Sequence, residues 1–133
     1  ATGGIVISRT ENNWAVNDIL NGVVKGKFDN SNGLPKLKPA DCQVEVSSDG
    51  GNIQPAGLTI DDLITEPQKY LCTLVKLDEV SYDGKGYIVS ENTENKIAFY
   101  DKFNVADQAV WPSLVDITGI LFIEGNVPQI AIR

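Results

Sequence analysis

The sequence predicts an all-β protein, and three observations carry that prediction. Short runs rich in β-branched and aliphatic residues recur along the 133 residues. They are separated by Asn32-Gly33, Asp83-Gly84 and Glu124-Gly125-Asn126, which supply the positive-φ positions that hairpins need. The same spacing of glycine, proline and aliphatic residue also appears near both ends of the chain. A chain of this length, 42% hydrophobic, is long enough to bury a real core within one domain or one domain plus a fragment.

Taken in order, Gly4-Ile5-Val6-Ile7-Ser8 is a compact apolar run. Val23-Val24-Lys25-Gly26-Lys27-Phe28 and Leu34-Pro35-Lys36-Leu37 flank Asn32-Gly33 and read as two antiparallel strands. Gln43-Val44-Glu45-Val46-Ser47 alternates polar and apolar, and the turn formers after it end the first section. Residues 49–70 read as a linker with a short helix at about 60–66. Thr59 is a good N-cap, Asp62 can complete a capping box, and Pro67 closes the helix. Strands follow at 71–82, 86–90 and 96–100. Residues 104–110, with an Asn N-cap and two alanines, read as one or two helical turns ahead of Pro112. Strands at 114–123 and 129–133 close the chain as a hairpin.

Val24-Lys25-Gly26 aligns with Ile117-Thr118-Gly119 at an offset of 93. Nine residues past each glycine stands a proline, Pro35 and Pro128; eleven past stands an aliphatic, Leu37 and Ile130. Ile5-Val6-Ile7 falls close to where Ile97-Ala98-Phe99 would map. The second copy has five strands with a helix between the third and fourth. That is the order of the OB-fold, a five-stranded Greek-key barrel. We therefore expect a complete OB-like barrel at 71–133, preceded at 1–48 by a partial copy holding strands 3, 4 and 5. A partial copy leaves open edges, to be covered by the second unit, a second copy of the chain, or sequence upstream of Ala1. The absence of Met, at position 1 included, fits an upstream segment such as a removed export signal.

Composition excludes several chemistries. With no histidine, nucleophile activation by imidazole and His-ligated zinc are absent. Two cysteines cannot build an all-thiolate zinc site or hold an iron–sulfur cluster. No apolar run approaches the ~20 residues of a membrane-crossing helix. Eleven basic against eighteen acidic residues give a net charge of −7, which repels phosphate backbones. The acid pairs Asp61-Asp62 and Asp78-Glu79 make no catalytic constellation, since neighbours within a strand point to opposite faces. We expect neither an enzyme nor a cofactor.

Leu58-Thr59-Ile60-Asp61-Asp62-Leu63, Lys69-Tyr70-Leu71-Cys72-Thr73-Leu74-Val75-Lys76-Leu77, Asp116-Ile117-Thr118-Gly119-Ile120 and Pro128-Gln129-Ile130-Ala131-Ile132-Arg133 resemble OB-fold domains of exported bacterial lipoproteins. Similar domains accompany secreted nucleases. The resemblance implies a periplasmic or cell-surface setting, membrane attachment through a lipid anchor, and a binding role with a protein partner or adjacent domain. It transfers no catalytic residue.

OB-folds bind across strands 2 and 3. Alternation puts Ile97 and Phe99 on one face of strand 3 and Lys96, Ala98 and Tyr100 on the other. Tyr100, Lys96, Lys102 and Phe103, with Tyr82, Lys85 and Tyr87, form a candidate stacking-plus-cation patch of the kind that binds single-stranded nucleic acid. The alternative is that Tyr87 and Phe103 fill the barrel and the lysines are solvated, which the surrounding acids favour. Trp14 and Trp111, in the two strand 3–4 connections, are either glycan or protein contacts or plugs of the barrel ends. Cys42 and Cys72 either pair, tying the two units together, or stand as separate buried thiols. Asp29-Asn30-Ser31-Asn32-Gly33 is oxygen-rich, yet lacks the EF-hand spacing and reads as a hairpin turn rather than a metal site.

Overall fold

The computed structural model describes residues 4–8, 13–15, 17–47, 53–101 and 111–132. They are mostly β-strand, arranged in two sheets. The first sheet holds β1 (Val6–Ile7), β2 (Ile19–Asp29) and β3 (Lys36–Ser47) in the order β1-β3-β2. β1 runs parallel to β3, and β2 antiparallel to it. The two runs expected around 34–37 and 43–47 are one twelve-residue strand. Lys25 faces Asp41 while Gly26 faces Pro39, so Ala40 is the extra residue of a β-bulge. A bulge is one of the few places where a strand accepts a proline. The hairpin loop is also longer than a two-residue turn. Asp29 faces Lys36, the Ser31 N–H donates to the Asp29 carboxylate at 2.8 Å, and Gly33 sits at φ 77°.

Of the stretch expected as a linker, the described residues from Ala56 onward pack onto the second sheet. β4 (Ala56–Gly57) adds in parallel to the edge of β5. Thr59 caps α1 (Ile60–Thr65) as its sequence predicts. Its hydroxyl accepts the Asp62 N–H at 3.2 Å, and the Asp62 carboxylate accepts the Thr59 N–H at 2.9 Å. Ile60 and Leu63 reach the core. Pro67 does not simply end the helix; it opens a second one, α2 (Pro67–Tyr70), at the position where a missing N–H costs nothing.

The remaining strands are β5 (Leu74–Tyr82), β6 (Tyr87–Val89), β7 (Lys96–Tyr100), β8 (Val115–Glu124) and β9 (Val127–Ile132). Their pairings run β5-β6-β7-β9-β8 and return to β5, closing a ring. β5 starts later than expected because Cys72 takes a left-handed φ of 58° in the turn before it. β8 and β9 meet in a two-residue turn, Gly125-Asn126, with both φ positive at 57° and 66°, the primed geometry that suits twisted hairpins. The helix expected at 104–110 lies outside the described residues.

Val75, Leu77, Ile88, Ile97, Leu121 and Ile130 are fully buried inside the ring. Phe122 and Ala131 point the other way and are buried too, and with Ile123, Leu34 and Leu71 they form a second cluster on which Val6 and Cys72 pack. The seam between the sheets is short. Its backbone link is the Gly4 N–H donating to the Leu71 carbonyl at 3.0 Å.

Ring closure rests on β5–β8. Opposite Asp116 the chain of β5 carries two residues, Asp78 and Glu79, with Glu79 at φ 51°. The Asp116 carboxylate accepts the Glu79 N–H at 3.1 Å and an Nζ–H of Lys76 at 3.0 Å, which together hold its pKa below the ordinary carboxylate value. Lys76 also pairs with Asp78. Past the bulge, Gly119 faces Val75 on one side and Ile132 on the other. A Cβ there would sit 2.6 Å from the Ala131 carbonyl oxygen and 2.8 Å from Ile130 Cγ1.

Two outcomes follow. Gly119→Ala costs about 1–3 kcal/mol through overpacking, while Gly57→Ala, with nothing near the added methyl, stays within about 0.5 kcal/mol; equal urea midpoints for the two variants contradict this packing. The second concerns acid. The carboxyls of Asp29, Asp62 and Asp116 all titrate below their ordinary value, chiefly through backbone N–H donors. A depressed native pKa contributes stability that is fully present above the unfolded value near ~3.9 and is lost as pH falls through the native one. Melting temperature is therefore expected to hold from neutral pH to about 5 and to drop below about 4; a rise between pH 5 and 3 contradicts it.

Candidate functional site

The outward face of β6 and β7 is set by pairing. Tyr87 faces Ala98, Val89 faces Lys96, and Tyr100 continues the row, while Ile88, Ile97 and Phe99 turn inward and are buried. The alternation expected for strand 3 is the one observed. Lys96 Nζ lies 4.0 Å from the centroid of the Tyr87 ring, a cation–π contact that covers one face of the tyrosine. Tyr87 thus stands outside the ring, half-buried, rather than filling it.

Asp83 lies in the turn that leads into Tyr87. Desolvation pushes its pKa up, but the N–H groups of Lys85 at 2.7 Å and Tyr87 at 3.0 Å outweigh that, with Lys96 and Lys85 nearby, and the net shift is downward. The carboxylate therefore stays ionised beside Lys96 and offsets the cation that a phosphate would need. Lys85 itself is exposed in the turn.

The other aromatic candidates divide between two places. Tyr82, Phe99 and Trp111 form one cluster, with centroids 5.5 Å (Tyr82–Phe99), 5.5 Å (Tyr82–Trp111) and 5.3 Å (Phe99–Trp111) apart. Tyr82 and Trp111 pack against the ring's core, and Trp111 is half-buried. Tyr100 instead leans toward Phe122, 5.9 Å away, and is 47% exposed. Trp14 is half-buried in the segment before β2. Lys102 and Phe103 lie outside the described residues. The candidates are thus brought together as Tyr87 with Lys96 and as Tyr82 with Trp111, not as one patch.

Sequence reasoning missed two concavities. One is a cleft of about 470 Å³ between the sheets, walled by Leu34, Phe122, Ile123 and Ala131, with Tyr100, Lys36 and Cys72 at its sides. The signal for it was the unbroken Ile120-Leu121-Phe122-Ile123, since a strand buried on one face only would alternate. Cys42 and Cys72 are both free thiols. Burial pushes the Cys72 thiol up, against a lowering contact from the Val6 amide, which favours the protonated thiol over the thiolate. The other concavity, about 550 Å³, lies beside α1 and is lined by Asp61, Asp62, Asp78 and Glu79. Asp61, Asp62 and Asp78 are engaged, the last by Lys76. Asp61 accepts from Thr93 Oγ1 at 2.8 Å and from Asn95 Nδ2 at 2.6 Å, and Asp62 serves the helix cap. Among the described residues no cluster of three or more metal-ligating side chains occurs.

The aromatic contacts differ in what they support. Phe99→Ala is expected to cost about 3–5 kcal/mol by opening the interior cluster, whereas Lys96→Ala costs less than about 1 kcal/mol; denaturant melts in which Lys96→Ala is the more damaging change would overturn the assignment of inside and outside. No protein-family model matches the chain, and no curated protein and no solved structure matches it either.

Proposed function

We propose that the chain is a non-enzymatic binding and interaction module that meets another polypeptide through the apolar face of its first sheet. The observation that carries this is the face itself. In an antiparallel pair, directly opposed residues share a face. Leu20, Val24 and Phe28 of β2 therefore lie with Leu37, Pro39, Cys42, Val44 and Val46 of β3, and Ile5 and Ile7 join them through β1. Ile5, Leu20, Phe28 and Val46 are exposed, Phe28 at 58%, and Val6 on the opposite side of the sheet packs toward the ring. An apolar face of this extent left in water marks a contact surface.

The reading of the ring as an OB-fold barrel, with the first sheet as a partial copy, accounts for why that face is apolar. Numbered from β5, the ring order is 1-2-3-5-4-1, the OB order. Shifted by 93, the facing pairs Phe28/Leu37 and Gly26/Pro39 become Leu121/Ile130 and Gly119/Ile132. β1-β3-β2 also repeats the parallel and antiparallel sense of β7-β9-β8. Val24, Phe28, Leu37 and Pro39 of the exposed face thus correspond to Ile117, Leu121, Ile130 and Ile132 inside the ring. In this reading the first unit has its lining but lacks strands 1 and 2. The family resemblance adds an exported, lipid-anchored setting, in which surfaces of this kind meet neighbouring domains or proteins.

A second reading, single-stranded nucleic acid on the outward face of β6 and β7, is favoured by Tyr87 with Lys96 and by exposed Tyr100. The net charge of −7 and Asp83 beside Lys96 weigh against it.

Nile red fluorescence tests the first reading. At or below about 1 μM protein, the triple variant Leu20→Ser, Phe28→Ser, Val46→Ser is expected to lose more than half of the dye signal, with its melting temperature within about 2 °C of the parent. Unchanged dye fluorescence, or a collapse in stability, means that the face is not an open contact surface.

A further inference from the structure

Among the described residues β2 pairs with β3 alone, so its eleven residues present a free outer edge. Such an edge is a template for a further strand. The residue pattern along it is symmetric. Val24 is the central residue of Ile19–Asp29, and the apolar face reads Leu20, Gly22, Val24, Gly26, Phe28: large, glycine, valine, glycine, large from either end. The opposite face carries Ile19, Asn21, Val23, Lys25, Lys27 and Asp29.

We propose that β2 pairs antiparallel with β2 of a second copy of this chain, about a two-fold axis through Val24. This rests on the reading of the first sheet's apolar face as a contact surface. In this register the whole strand is matched end to end. Leu20 faces Phe28 of the second copy, Gly22 faces Gly26, and Val24 faces itself, so both apolar faces lie on one side of a sheet ordered β1-β3-β2-β2-β3-β1. Isologous pairing of this kind is the commonest route to a closed dimer. On the other face Asn21 meets Lys27, Val23 meets Lys25 and Ile19 meets Asp29, so no like charges oppose one another across the new pair. Neighbouring registers are worse. A slide of one residue sets apolar residues against charged ones. A slide of two sets Lys25 against Lys25 on the axis in one direction, and in the other leaves Phe28 without a partner. The sequence of the edge therefore selects both the occupant and the register.

The test uses the 133-residue chain and positions on the charged face, where Asn21 and Lys27 are exposed and a substitution leaves the monomer folded by far-UV circular dichroism. Sedimentation equilibrium from 1 to 200 μM is expected to show the parent rising toward twice its 14.4 kDa monomer mass. N21K, which places two lysine pairs face to face per dimer, weakens association about tenfold. N21K/K27D, which turns those pairs into ion pairs, returns it to within about twofold of the parent. Should N21K fail to fold, N21D, which sets a carboxylate opposite Lys27, tightens association about tenfold instead. A parent that stays monomeric to 200 μM, or association indifferent to these substitutions, overturns the proposal. If the monomeric chain still binds Nile red through Leu20, Phe28 and Val46, the face remains a contact surface for a different polypeptide; if that signal is missing as well, the contact-surface reading falls with it.

Discussion

The pairing of β5 with β8 is the constraint on which the rest of the molecule depends. The other contacts of the ring join strands in an open series, and only this one returns the series to its start. It is made at some cost in regularity. β5 takes an extra residue opposite Asp116, Glu79 adopts a left-handed conformation, and the Asp116 carboxylate gathers the displaced Glu79 N–H together with Lys76. Once closed, the ring gives Val75, Leu77, Ile117 and Leu121 a common interior, and α1 seals it with Ile60 and Leu63. The burial of these side chains, each worth roughly 1.5–3 kcal/mol, is then collective, because no strand can leave without exposing the others.

The first sheet shows what the same kind of residues do without such a closure. β2 and β3 have facing aliphatic and aromatic side chains as β8 and β9 do, but Phe28 is exposed where Leu121 is fully buried. The difference lies in topology rather than composition: among the described residues β8 has a neighbour on each side, β2 on one. The first sheet is held to the ring by the Gly4–Leu71 hydrogen bond and by Val6 and Leu34 against Phe122 and Ile123, a seam on its charged side that leaves the apolar side outward. An association surface follows from this geometry with no specialised motif.

Much of the fold was legible because it is written in short-range chemistry. Thr59 with Asp62, the Asp83-Gly84 turn and Gly125-Asn126 each specify a local backbone with a stated hydrogen bond or φ, and alternation separated Ile97 and Phe99 from Lys96 and Tyr100. What escaped was set at longer range. Pro39 lies between the two runs expected at 34–37 and 43–47, and only the pairing with Gly26 places it beside a bulge in one continuous strand. Pro67 reads equally as the end of one helix or the start of the next. The candidate aromatics share an expected binding face on strands 2 and 3 and their hairpin, whereas the ring sends Tyr82 inward to Trp111 and leaves Tyr87 outside under Lys96. Two-sided burial of β8 was visible in its unbroken aliphatic run, but what covers the second side, Leu34 and Val6, comes from a distant part of the chain.

Native-state hydrogen exchange at the β5–β8 contact tests the ring most directly. If closure is what holds the core, the amides that join Leu74–Leu77 to Ile117–Ile120 exchange only through global unfolding, with a free energy equal to that from denaturant melts. Exchange there by a local opening about 2 kcal/mol or more below the global value, while β8–β9 and β6–β7 stay protected, would show an open sheet with an incidental contact and contradict the account.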